Sequence, residues 1–217
     1  MGPNLRAIMM CFDRNSKMDD MRQSEKWWTH EAGGVLIGVT AIVAPMLHLI
    51  SDIIEWISGG FSQTQLLINL FGFLPMPFLI IGLNQIQRQR AGWPASVGAI
   101  LYAWAFVYFT YTTIYSLAYS VPTYQALWNQ LGWIYTFHGG LMIVGGLMFG
   151  ISALEAKVLS RIALALFVIG LMLNLIVSLL PVPEVVQILG STIRNLGLIG
   201  IGVHLLLRPT LDSTHED

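Results

Sequence analysis

Apolar residues run along this chain in six long stretches separated by short polar connectors, at about residues 33–57, 66–85, 94–119, 133–154, 162–180 and 185–207. Each is close to or above the roughly 20 residues a helix needs to cross the hydrocarbon of a bilayer. Helices follow because, in lipid, every backbone amide has to be satisfied within its own segment. The pattern predicts an all-α integral membrane protein, a bundle of six transmembrane helices over residues 33–207. Residues 1–32 are expected to form a cytoplasmic, partly disordered N-terminal segment, and 208–217 a short cytoplasmic tail. The connectors, of which 120–132 is the longest, leave no room for a soluble domain.

Composition supports this reading. Of the 217 residues, 55% are hydrophobic and only 11% charged, against roughly 25% charged in ordinary soluble domains. A soluble chain this short has too much surface for its volume to hide so many apolar groups. The net charge of -1 offers no basic surface for nucleic acid. A lone cysteine, Cys11, excludes an intramolecular disulfide and any multi-cysteine motif. The residues ahead of the first apolar run show no small-residue cleavage pattern of a secretory signal.

Orientation follows from the cations. Arg6, Arg14, Lys17, Arg22 and Lys26 precede the first span, Arg88 and Arg90 follow the second, Lys157 and Arg161 the fourth, and Arg208 the sixth. The other three connectors hold no Lys or Arg. With six spans, ten of the eleven cations fall on one side, which the positive-inside rule makes cytoplasmic, with both termini there. Trp27, Trp28, Trp56, Trp93, Trp128 and Trp133 cluster near span ends, as the aromatic belts of a membrane protein do. Residues 121–133 are expected to lie in the outer interface as a short amphipathic helix.

The eleventh cation is Arg194, inside the sixth span. A charge at that depth costs at least about 2.5–3.5 kcal/mol unless paired or wetted. Its expected partner is an acid from the first span, where His48, Asp52 and Glu55 are spaced i, i+4, i+7 and share one helical face. Further polar groups fall at similar depth. These are Asn69, a stripe of Tyr108, Tyr111, Tyr115 and Tyr119, then His138, Asn174, Ser178, Gln187, Ser191 and Asn195. The cytoplasmic halves are mostly aliphatic, with His204 the main exception. The asymmetry predicts a polar cavity in the outer half of the bundle. Pro45, Pro75 and Pro77 are expected to kink their helices and open space there.

Four functional readings are open. The charged residues can form an ion-pair network that fixes helix register. They can instead serve an intramembrane enzyme of isomerase or cyclase type acting on a lipophilic substrate. Asp52 or Glu55 would then be the acid and His48 or His138 the base, with Arg194, Asn195, Asn69, Tyr108, Tyr111, Tyr115 and Asn174 around the substrate. Proton-coupled transport is the third reading. The fourth is a metal or haem site built on His48 and His138, although their spacing resembles no ligand motif. No metal ligand set is assigned and the cofactor stays open. The expected partners are the lipids of a cell membrane and a lipophilic small molecule. Glycine faces can pack within the chain or between chains, so a homo-oligomer is also open.

Overall fold

The computed structural model describes residues 32–180 and 184–207, so the expected N-terminal segment and C-terminal tail lie outside the described residues. Residues 37–217 form one compact unit, and of residues 1–36 only the start of the first helix is described. The described residues are helical and contain no strand. In order, the helices are α1 (Ala32–Ser58), α2 (Gln63–Phe73), α3 (Met76–Tyr119), α4 (Tyr124–Leu131), α5 (Trp133–Ala156), α6 (Arg161–Ser178) and α7 (Glu184–Leu207). α2 and α3 are separated only by Leu74 and Pro75, at the break expected from Pro75 and Pro77, whereas α1 stays helical through Pro45.

From Gln63 to Tyr119 the helical stretch counts 57 residues, but it is not one rod. Asn84 Nδ2 donates to Ser96 Oγ at 3.2 Å, although twelve residues of straight helix would hold the two about 18 Å apart. The rings of Phe73 and Phe109 are likewise only 5.2 Å apart. The chain turns back at Gly92, whose φ of 71° and ψ of -173° interrupt the helix in a region that glycine enters freely. Pro94 follows two residues later, where the first turn of a new helix needs no amide hydrogen. α3 is therefore two antiparallel arms, 76–91 and 93–119.

The turns gather at two ends. At one, the Phe61 amide donates to the Pro122 carbonyl at 2.8 Å and the Phe61 ring meets Tyr124 edge-on. α4 starts there, capped by the Thr123 hydroxyl. At the other end, Ala91 and Ala95 beside the Gly92 turn pack with Ala156 and Val158 beside the α5–α6 turn. Arg88, Arg90, Lys157 and Arg161 lie in or next to these latter turns.

Small residues set the helix spacing. A Cβ on Gly98 would run into Phe149 and Gly145 of α5, and one on Gly170 of α6 would run into the Arg194 backbone of α7. These close approaches explain why the glycines sit where they do, and the second fixes the depth at which Arg194 is held. Phe106, Phe149, Phe167, Leu171, Leu198 and Ile201 fill the interior. Outward, large apolar side chains such as Phe78, Ile162 and Trp93 are exposed, a surface that water does not tolerate at this extent. Among the described residues, five helical stretches are long and apolar enough to cross a membrane.

Candidate functional site

α1 turns His48, Asp52 and Glu55 to its neighbours near the end that carries α4. Asp52 is buried, and its Oδ2 accepts the Ser191 hydroxyl of α7 at 2.7 Å. His48 Nδ1 stands 3.7 Å from Asp52 Oδ1 and 3.0 Å from Asn69 Oδ1 of α2. A neutral ring that donates from Nδ1 to this carboxamide oxygen keeps its lone pair on Nε2. The ring packs on Phe73 at 4.8 Å between centroids. Gly72 brings α2 this close, since a Cβ there would press on the backbone of Ala44 and His48.

One turn further along α1, Gln65 forms a clasp. Its Nε2 donates to Ser51 Oγ at 2.9 Å and to Glu55 Oε2 at 3.2 Å, while Ser51 Oγ donates to the Gln65 carbonyl at 3.3 Å. Gln65 reaches this position because Ser62 caps α2 through the Gln65 amide. Tyr124 of α4 hydrogen-bonds to Glu55 as well. Burial first, and the Glu55 carboxylate second, hold the Tyr124 phenol well above its ordinary range.

Arg194 is arranged differently. It is 3% exposed, yet no carboxylate among the described residues is within ion-pair distance of its guanidinium. Asp52 does reach α7, but at Ser191, one turn short of Arg194. The guanidinium instead meets the Met142 thioether of α5 at 3.2 Å and Asn195 Oδ1 at a long 3.4 Å. Sulfur is a weak acceptor. Arg194 Nε, Asn195 Nδ2 and the Tyr102 hydroxyl are all buried with no hydrogen-bond partner among the described residues. Tyr102, on the second arm of α3, packs its ring against Gly146, one turn along α5 from Met142.

The remaining expected site residues are not brought into this group. His138 is buried in an aromatic setting, with Phe109 at 4.5 Å and Tyr135 at 4.6 Å and Nδ1 against the Ile134 carbonyl at 3.4 Å. The two imidazoles are linked through a run of ring contacts, with Phe73 against His48, Phe109 against Phe73 and His138 against Phe109. Among the described residues no three His, Cys, Asp or Glu side chains gather as a metal would need. The tyrosine stripe points outward. Tyr111 and Tyr119 are exposed, Tyr115 stacks between them, and Tyr108 meets Trp104 and Phe137. Asn174 of α6 lies with its carboxamide against Gly190, one turn before Arg194 on α7. The Gln187 side chain lies outside the described residues.

Ser51, Gln65, Tyr102 and Met142 belong to the polar groups but were not singled out from the sequence. Two of them carry a readable signal. Gln65 is spaced i, i+4 with Asn69, and Tyr102 shares the i, i+4, i+7, i+11 face of Phe106, Phe109 and Thr113. The buried hydroxyls of Thr113 and Ser116 on that face bond to carbonyls four residues back, so they are satisfied within their own helix.

Compared with protein-family models, with curated proteins and with solved structures, the chain matches none.

Proposed function

We propose that the chain is a six-pass protein of the cell membrane, with both termini cytoplasmic, that performs acid/base chemistry on a lipophilic substrate. Support for six crossings comes from the turn at Gly92. A 57-residue rod would be about 86 Å long, nearly three times a hydrocarbon thickness of about 30 Å. Support for the orientation comes from Arg88, Arg90, Lys157 and Arg161 at the Gly92 end. Trp56, Trp128 and Trp133 are exposed toward the α4 end and Trp93 at the other, as interface belts would be.

The observation that carries the chemistry is the His48 contact with Asn69 Oδ1. It leaves Nε2 as the base, while Asp52 stands where it stabilises the imidazolium formed on proton uptake. Such a pair suits proton removal and return on an alkene or carbonyl compound dissolved in the bilayer. The test needs no prior substrate. Lipids from cells grown in heavy water and expressing the wild type, His48→Gln or no protein are compared by mass spectrometry. The wild type should yield a deuterium-enriched lipophile that folded His48→Gln does not produce. Identical profiles in all three would end the proposal.

A register-fixing role is the second reading, favoured by the hydrogen bonds that tie Asp52 to Ser191 and Ser51 to Gln65 across helices. It requires that Asp52→Asn lose folded protein, not merely product.

A further inference from the structure

The polar groups of α1 are bonded to neighbours, whereas the Arg194 centre holds orphaned donors. A guanidinium has five N–H donors. Here the recorded acceptors are a thioether sulfur and one distant carboxamide oxygen. Nε is buried without a partner, as are Asn195 Nδ2 and the Tyr102 hydroxyl. A buried charge with this many unmet donors is out of balance in a low-dielectric interior. The unmet groups specify what would balance it: oxygen acceptors, planar, carrying one negative charge.

We infer that Arg194, Asn195 and Tyr102 form a socket for the carboxylate of a single-chain lipophile. Carboxylate matches guanidinium edge to edge through two parallel N–H···O bonds. Its remaining lone pairs can accept from Asn195 Nδ2 and the Tyr102 hydroxyl. One negative charge balances one arginine. A phosphate dianion would bring a second charge close to the Asp52 carboxylate, which Ser191 holds one turn away on α7. The apolar part of the ligand needs room, and α5 provides it. Gly139 lies one turn from Met142 on the same face, is partly buried, and a Cβ there would meet nothing within 4 Å. The inference rests on the protein taking a lipophilic substrate and names its head group. Anchored at Arg194, that substrate lies beside the helix whose Ser191 bonds Asp52, the partner of His48.

The test is a head-group series on the full-length protein in phosphatidylcholine nanodiscs, read by native mass spectrometry and thermal unfolding. The probes are oleate, methyl oleate, oleyl alcohol and acetate. Oleate should bind at least about tenfold more tightly than methyl oleate or oleyl alcohol, as expected for a charge-assisted fork, and acetate should not compete. Arg194→Gln should erase the preference for oleate. Tyr102→Phe, which removes only an oxygen, should weaken oleate roughly threefold and leave methyl oleate unchanged. Should Arg194→Gln fail to fold, the wild-type series and Tyr102→Phe still decide.

Equal binding of oleate and methyl oleate, or an oleate preference that survives Arg194→Gln, would overturn the socket while sparing the lipophilic-substrate reading. Acetate competing on equal terms would show a free-anion site and overturn the lipophile. If no long-chain probe binds the wild type, both the socket and the reading beneath it fall.

Discussion

The Ser51–Gln65 clasp and the Arg194 centre both bury polar side chains between helices, but they differ in how those groups are met. At the clasp, the Gln65 carboxamide nitrogen bonds two α1 side chains and the Gln65 backbone carbonyl receives the Ser51 hydroxyl, with only the carboxamide oxygen left without a partner among the described residues. At the centre, a full positive charge is left with sulfur and a long contact to its sequence neighbour. The first is a joint, since its bonds tie α1 to α2 at a defined register. The second joins little. Arg194 is held by backbone packing on Gly170, not by its charge. Side chains that bond across two helices and a buried charge that bridges none call for different explanations, the one structural and the other, on the reading proposed above, a ligand.

The largest effect should come at the bonded side of this contrast. Asp52→Ala removes the carboxylate that Ser191 and His48 share. It should destabilise the folded protein by about 3 kcal/mol, the cost of breaking a buried polar pair from one side. Thermal unfolding in nanodiscs reads the change. A loss well under about 1 kcal/mol would mean that the α1–α7 contact is not a joint.

Gln65→Leu should follow, at about 2 kcal/mol, because Ser51 and Glu55 both lose the carboxamide donor they share. Arg194→Met should move the other way. Replacing an uncompensated buried charge by an apolar side chain of similar length should raise stability by about 1 kcal/mol in the ligand-free protein. If Arg194→Met destabilised as strongly as Asp52→Ala, the contrast would collapse and Arg194 would count as structural.

These regions were unequally legible in the sequence. Apolar run length depends on many residues at once, so α1, α5, α6 and α7 fall within a few residues of the expected spans. Gln63–Gln65 read as connector because they are polar, although Ser62 caps a helix there. Periodicity showed which residues share a face but not which face turns inward. On α3 the Tyr108–Tyr119 stripe and the Tyr102–Phe106–Phe109 stripe are equally regular, and packing turned the second inward, with Tyr102 and Phe106 buried and Phe109 partly so. Spacing along the spans brought Asp52 near the level of Arg194 but did not fix rotation or offset, and Asp52 meets α7 one turn from the arginine. An orphaned donor is a property of three-dimensional neighbours and leaves no mark in a single sequence.

The smallest effect should lie at the rim of the clasp, where Tyr124 bonds to Glu55. Tyr124 is 36% exposed, so Tyr124→Phe should cost only about 1 kcal/mol near neutral pH, the net worth of one hydrogen bond. Its signature is the pH dependence. The phenol titrates well above its ordinary 10.0 in the folded protein, because of burial and then the Glu55 charge. Above that ordinary value the unfolded chain releases the proton while the folded chain keeps it. Stability from Tyr124 is therefore intact below about pH 10 and falls as pH rises beyond it. The wild-type unfolding midpoint should drop between about pH 9 and pH 11 by more than that of Tyr124→Phe. Parallel curves for the two proteins would detach Tyr124 from Glu55 and confine the clasp to Ser51 and Gln65.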